Sequence, residues 1–524
     1  MTAMAAARAI EKIVIVGGGS AGWLTAGLLS SELRRSGSSV RICLVESPDV
    51  KPIGVGEGTW PTMRSSLARM GISETDFIKN CDASFKQGTQ FIDWAQGQGE
   101  SYYHPFTPPR GFSEINLARY WLPLRDKVSF SVAVSPQARI CDQSLGPKQI
   151  VTPEYASNLN YGYHLDAGKF ASFLQRHCVE QLGVEHLLEN VESIENDAVG
   201  DIQSLHASSG RVIAGDMFVD CTGMRSLLLG EHLGVGFEDK SQVLFNDSAL
   251  AVQVPSSDEL GPIASTTRST ARAAGWVWDI ALPTRRGVGY TYSSLYASDE
   301  EAGGVLRQYL AETAGEEFSQ SCTLRKISFR PGYRERFWHR NCVAIGLSAG
   351  FVEPLEASAL VMIELSAKML SELMPPNRDV MDIVAARFNT RFLSHWERII
   401  EFLKLHYVLS ARSDTAYWRD HREPDSIPQG LRDSLVLWRY HCPWHGDQAQ
   451  MDELFSTASY QYVLYGMDFA SLGVTGAPGV DAAGVKQANS LFAENAKDTQ
   501  KMLAGLPTNR ELIEKINLYG LSRV

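Results

Sequence analysis

The chain has 524 residues, is 44% hydrophobic and 21% charged, and carries a formal net charge of −11 with a pI of about 5.6. This is the balance of a globular chain with ample core and room for two or three domains; it excludes a basic nucleic-acid surface and leaves small molecules as the expected partners. No stretch approaches the roughly 20 apolar residues of a spanning helix, so no membrane partner is expected.

Residues 1–10 are alanine-rich but lack the apolar segment of a signal peptide. Eight cysteines spread from Cys43 to Cys442 include no C-x-x-C pair, so reduced thiols and a cytoplasmic location are expected. The apolar run Ile13–Val16 feeds into Gly17-Gly18-Gly19-Ser20-Ala21-Gly22 and then into a helical pattern to about Arg34. A second apolar run, Arg41 to Val45, ends in Glu46, 29 positions beyond Gly17. These are the parts of a βαβ dinucleotide-binding unit in order. Gly17 permits the tight turn, Gly19 the approach of backbone to a pyrophosphate, and Gly22 close helix–strand packing. Ser20 and Ala21 open the helix that faces the phosphates, and Glu46 can accept a ribose hydroxyl.

A loop follows, Pro52-Ile53-Gly54-Val55-Gly56-Glu57-Gly58-Thr59-Trp60-Pro61, and helical patterns over 62–70 and 74–80. From Ser84 to Ser135 aromatics and prolines are dense and periodicity is weak, which predicts a pocket wall of loops and short elements. Alternation predicts strands between Val191 and Val219, broken at Ser208-Ser209-Gly210, and further strands over 247–293. Arg340–Ile345 reads as a last buried strand. Beyond Glu356 the chain turns mainly helical, with Phe388, Phe392, Trp396, Ile399, Ile400, Leu403 and Tyr407 on one face. No repeat or low-complexity linker is present. His441, Cys442 and His445 lack the second cluster that would complete a metal site, so no metal is expected.

Three glycine-bearing turns therefore follow apolar strands: 17–22, 220–223 and 346–350. Their number and spacing favour a flavin over a nicotinamide, although the later two can be read as ordinary strand-to-helix turns. The run Gly350-Phe-Val-Glu-Pro-Leu-Glu356-Ala-Ser358-Ala359 opens an apolar helix whose first free amides, at Ser358 and Ala359, suit a small anion or simply a helix start. Trp276 and Trp278 fall on one face of a strand, as core residues do. Lys86, read alone, is a surface lysine. His104 and Phe106 can stack on a flat substrate or serve as core aromatics.

Taken together, Gly17–Gly22, Gly54-Val-Gly-Glu-Gly58, Phe85-Lys86-Gln-Gly, Tyr103-His-Pro-Phe106, Trp276-Val-Trp278 and Gly350-Phe-Val-Glu-Pro-Leu-Glu356 resemble the flavin-dependent tryptophan halogenases. The matches run in family order over about 12–375, and the helical remainder is similar as far as Tyr462-Val-Leu-Tyr-Gly-Met467. The resemblance implies an α/β fold: a Rossmann-like, FAD-binding sheet of the flavin monooxygenase type, a substrate-binding module and a mainly helical C-terminal part. The flavin module is expected to be discontinuous, at 1–80, about 160–225 and about 340–375. Residues about 81–159, 226–339 and 376–524 form the rest.

The family further implies non-covalent FAD, bound beside Leu347 and reduced by a separate flavin reductase that delivers diffusible FADH2. A halide, chloride or bromide, would sit on the amides of Ser358 and Ala359. Hypohalous acid would cross a tunnel to Lys86, with Glu356 orienting it or taking the ring proton. His104 and Phe106 match residues that sandwich the substrate ring, and Trp276 and Trp278 the double-tryptophan signature. Two positions depart from the pattern: Ala281 replaces the proline after Trp-x-Trp-x-Ile, and Ala357-Ser358-Ala359 replaces Ser-Thr-Gly. The segment Trp438–Gln461 lacks a clear tyrosine-rich, acidic lid, which points away from free tryptophan and toward indole or another electron-rich aromatic. The competing readings are a single-component FAD-dependent aromatic hydroxylase and a non-catalytic flavin-binding protein. A monomer or homodimer is expected.

Overall fold

The computed structural model describes residues 9–50, 56–256, 261–447, 454–471 and 482–523. Its first layer is a six-stranded sheet in the order Trp338–His339, Cys342–Ala344, Met217–Asp220, Lys12–Val16, Arg41–Glu46, Glu185–Leu188. All neighbours are parallel except the first pair. The central strand Lys12–Val16 is buried on both faces, as its unbroken Ile-Val-Ile-Val run requires. Helix Ser20–Arg35 packs against the sheet and against helices Ala167–Glu180 and Ser358–Glu372. This is the doubly wound α/β arrangement, with the strands' carboxyl ends along one edge.

A second, seven-stranded sheet runs Arg325–Ser328, Ser248–Pro255, Arg285–Tyr292, Gly275–Ala281, Thr267–Arg272, Gly88–Ile92, Ser101–Pro105. Strand Gly275–Ala281 is buried throughout. Val277 joins Tyr290, Tyr292 and helix Asp299–Ala314 in one core, so Trp276 and Trp278 share the opposite face, as period-2 alternation predicts. A small sheet of Gly56–Gly58, Gly162–Asp166 and Ser84–Lys86 links the two layers. Of the Gly54–Gly58 motif, Gly54 and Val55 lie outside the described residues, as do 1–8 and 448–453.

The region after Ser84 is more regular than its sequence predicts, contributing strands Ser84–Lys86, Gly88–Ile92 and Ser101–Pro105. Gly88, at φ +149°, makes this possible: a Cβ there would fall 2.3 Å from the His104 carbonyl oxygen of the paired strand. The 29-residue helix Met381–Leu409 buries every member of the face read from Phe388 to Tyr407, together with Lys404 and His406. All eight cysteines are free, and seven are buried. Among the described residues no helix is long and apolar enough to cross a membrane.

Candidate active site

The three glycine turns converge. Gly17 has φ +118°, and a Cβ there would lie 2.2 Å from the Cys221 carbonyl oxygen, so the first turn seats directly on the second. A Cβ on Gly346 would come within 2.7 Å of Ala21 Cβ, and Ser348 Oγ donates to the Gly223 carbonyl at 3.1 Å, which ties in the third. Asp220 braces the second turn by accepting from the amides of Thr222, Leu228 and Leu229 at 3.0, 2.8 and 2.9 Å.

A cavity of about 520 Å³ opens at this junction, lined by Gly17–Ala21, Glu46, Cys221–Arg225 and Leu347 and, further on, by Trp276, Trp278, Glu356–Ala359 and Lys86. Its walls fit a dinucleotide. Helix Ser20–Arg35 has no side-chain cap and no acid in its first turn, so its free amides await an anion. A Cβ added at Gly19 would meet nothing within 4 Å, leaving open space where a pyrophosphate would approach. Glu46 ends its strand at this cavity, where His186 Nε2 holds its Oε2 at 2.9 Å.

The turn before helix Ser358–Glu372 is strained: Glu356 (φ 62°) and Ala357 (φ 56°) are consecutive left-handed residues, each costing about 1–3 kcal/mol. Trp60 Nε1, donating to the Glu356 carbonyl at 2.8 Å, pins the turn. This helix too lacks a side-chain cap and an acid in its first turn, and Ser358 and Ala359 line the cavity.

Lys86, a surface lysine by sequence alone, is wholly buried, and its Nζ has no hydrogen-bond partner among the described residues. Nζ stands 5.3 Å from the centre of the Phe106 ring. Burial pushes the amine down to about 8, with Glu356 pulling the other way. Glu356 is also buried. His104 Nδ1 lies 2.6 Å from its Oε1, His406 Nε2 3.3 Å from the same oxygen, and Thr89 Oγ1 donates to Oε2 at 3.2 Å. Burial opposes its ionisation, but His104 and His406 more than offset this and hold the carboxyl well below the usual range.

His104 and Phe106 are not in the lining of the cavity; they touch Glu356 and Lys86 from an aromatic cluster that includes Trp60, Phe402 and Phe455. Lys86 and Glu356 therefore form a partition between the cavity and the aromatic cluster. Trp276 is locked in the cavity wall by donating to Glu353 Oε2 at 2.6 Å, which also accepts from Tyr407 and Asn246 at 2.6 and 2.7 Å. His441 and His445 are engaged elsewhere, with Asp447 at 2.9 Å and the Phe112 carbonyl at 3.0 Å. Sequence reasoning missed Thr89, His186 and His406, which only their polarity within strand and helix patterns could have flagged, and gave Glu353 no role although it stands in the Gly350–Glu356 motif.

A family model described as tryptophan halogenase matches residues 12–476. The tryptophan 7-halogenase RebH of Lentzea aerocolonigenes is 32% identical over 97% of this chain and 98% of its own length. The crystal structure of a tryptophan halogenase from Shewanella frigidimarina NCIMB 400 superposes with a TM-score of 0.95 at 49% identity, covering 98% of this chain and 99% of that one. BrvH, a flavin-dependent halogenase from Brevundimonas sp. BAL3, gives a TM-score of 0.84 at 33% identity, covering 97% and 99%.

Proposed function

The chain belongs to the tryptophan halogenase family of flavin-dependent enzymes, and on that premise we propose that it halogenates an electron-rich aromatic such as indole or a tryptophan-like compound, using hypohalous acid passed to Lys86. The observation that carries this reading is the partition: a buried Lys86, whose Nζ has no hydrogen-bond partner among the described residues, and an ionised Glu356 stand between a dinucleotide-sized cavity and an aromatic cluster. Hydroxylation gives neither residue a task.

Gly17 and Gly22 would close the cofactor turn, a Cβ on Gly22 falling 1.8 Å from the Gly17 carbonyl oxygen, so that Gly19, Ser20 and Ala21 hold the pyrophosphate of FAD, with Glu46 at the adenosine ribose and Leu347 at the flavin ring, drawing the flavin module from separate stretches of chain. When bound and reduced by a separate flavin reductase, FAD supplies, with O2, the oxidising equivalent for halide oxidation. The amides of Ser358 and Ala359 hold chloride or bromide at the helix start. Lys86, with its amine lowered from 10.5 to about 8, keeps a minor free-base fraction near neutral pH that can capture hypohalous acid, while the ammonium form can hydrogen-bond it. Glu356 orients that species or accepts the ring proton. Trp276 and Trp278 wall the cavity, while His104 and Phe106 bound the substrate ring on the far side of the partition. The departure from the acidic, tyrosine-rich pattern over 438–461 supports an indole-like substrate over free tryptophan.

The test is purified protein with FAD, a flavin reductase, NADH, an indole panel and either halide, read by mass spectrometry. Halogen isotope patterns are expected. Oxygenated products would favour the hydroxylase, and no product with flavin bound would favour a binding protein.

A further inference from the structure

His406 belongs to none of the motifs read from the sequence and is completely buried on helix Met381–Leu409. Its Nδ1 lies 3.0 Å from the Phe402 carbonyl oxygen one turn back. A carbonyl only accepts, so Nδ1 carries a hydrogen. Nε2 is thereby turned to Glu356 Oε1 at 3.3 Å, a charge-pairing contact rather than a well-directed hydrogen bond, and Nε2 has no hydrogen-bond partner among the described residues. The ring is otherwise enclosed by Phe91, Trp94 and Phe402, with centroids at 4.8, 6.0 and 5.2 Å. A bare lone pair facing a carboxylate inside this apolar cage would be repulsive. A hydrogen on Nε2 turns the same contact into an ion pair.

We propose that His406 is a positioning residue for halogenation: as an imidazolium it keeps Glu356 ionised and, with His104, ties down Oε1, leaving Oε2, held by the Thr89 hydroxyl contact at 3.2 Å, as the working oxygen. This rests on the halogenase reading given above. The other titratable groups that feel the Glu356 charge are Lys86 and Tyr102. Glu353, on the same turn, is engaged with Trp276, and Lys404, on the His406 helix, with His421 at 2.9 Å. Neither of these can substitute for the imidazolium.

The test pairs two variants with a spectroscopic readout. His406→Gln keeps a side-chain donor but removes the charge; His406→Phe removes both. With reduced flavin and halide in excess, the acid limb of the kcat profile is expected to move up by about 1–3 pH units in both variants, the shift of one lost neighbouring opposite charge. His406→Gln should retain more turnover than His406→Phe above that limb, and FAD affinity by fluorescence titration should be unchanged. In 15N-histidine-labelled wild-type protein at neutral pH, both His406 ring nitrogens should resonate as hydrogen-bearing, assigned by their loss in His406→Gln, and Glu356→Gln should release the Nε2 hydrogen. An unprotonated Nε2 in the wild type, or a loss of activity uniform across pH in the variants, would overturn the proposal. Absence of halogenated product from the wild type at any pH would instead sink the halogenase reading, and the nitrogen spectrum would still judge His406.

Discussion

At the scale of single residues, Lys86 and Glu356 carry the sharpest expectations. A buried amine that finds no hydrogen-bond partner among the described residues is costly to the fold, so Lys86→Met should raise apoprotein stability by about 1–3 kcal/mol while abolishing halogenation. The sign with pH follows from an amine lowered from 10.5 to about 8. Below about 8 the charged form burdens the fold fully, and above 10.5 the unfolded chain has lost its proton too. The gain from Lys86→Met should therefore be largest at or below pH 8 and fade as pH rises to 10.5, read by thermal unfolding across that range. Glu356→Gln keeps the side chain's size but removes its charge. Turnover should fall by roughly 10²–10⁴-fold, the usual loss for an acid–base group, with FAD affinity retained. Near-normal turnover in that variant would leave Lys86 acting alone. Neither residue's burial is legible in sequence. Lys86 sits among polar and aromatic neighbours that read equally well as surface, and its dryness comes from segments far along the chain.

At the scale of elements, the glycine turn separates two roles that its spacing alone cannot. Gly17→Val places a Cβ on the Cys221 carbonyl in a left-handed backbone and should cost about 3 kcal/mol or more of stability. Gly19→Val meets open space in the protein, so the variant should unfold at nearly the parent temperature yet fail to bind FAD in a fluorescence titration. Normal FAD binding by Gly19→Val would mean the pyrophosphate lies elsewhere. The long helix Met381–Leu409 was legible because its apolar stripe repeats at helical spacing over seven positions. Strands Gly88–Ile92 and Ser101–Pro105 were not: they pair with each other, but Gly88–Ile92 joins the larger sheet only through Thr267–Arg272, far away in sequence.

At the scale of the whole molecule, the cavity, the partition and the aromatic cluster are products of assembly. The sequence carries one dinucleotide fingerprint, so NADH should not reduce the bound flavin directly. Anaerobic mixing with NADH in the absence of a reductase should leave the oxidised flavin spectrum intact. Rapid bleaching would return the single-component hydroxylase to favour.

What the sequence determined by itself was the βαβ unit, the long C-terminal helix and the family motifs. These depend on turn chemistry and side-chain periodicity, which act over a few residues and are written in spacing. Only the tertiary structure decided that Lys86 is dry, that Glu356 is held by His104 from 252 positions away and by His406 from a different helix, and that the three turns meet at one cavity. Burial and protonation are set by whichever groups folding brings within a few ångströms, and for these residues those groups come from distant parts of the chain.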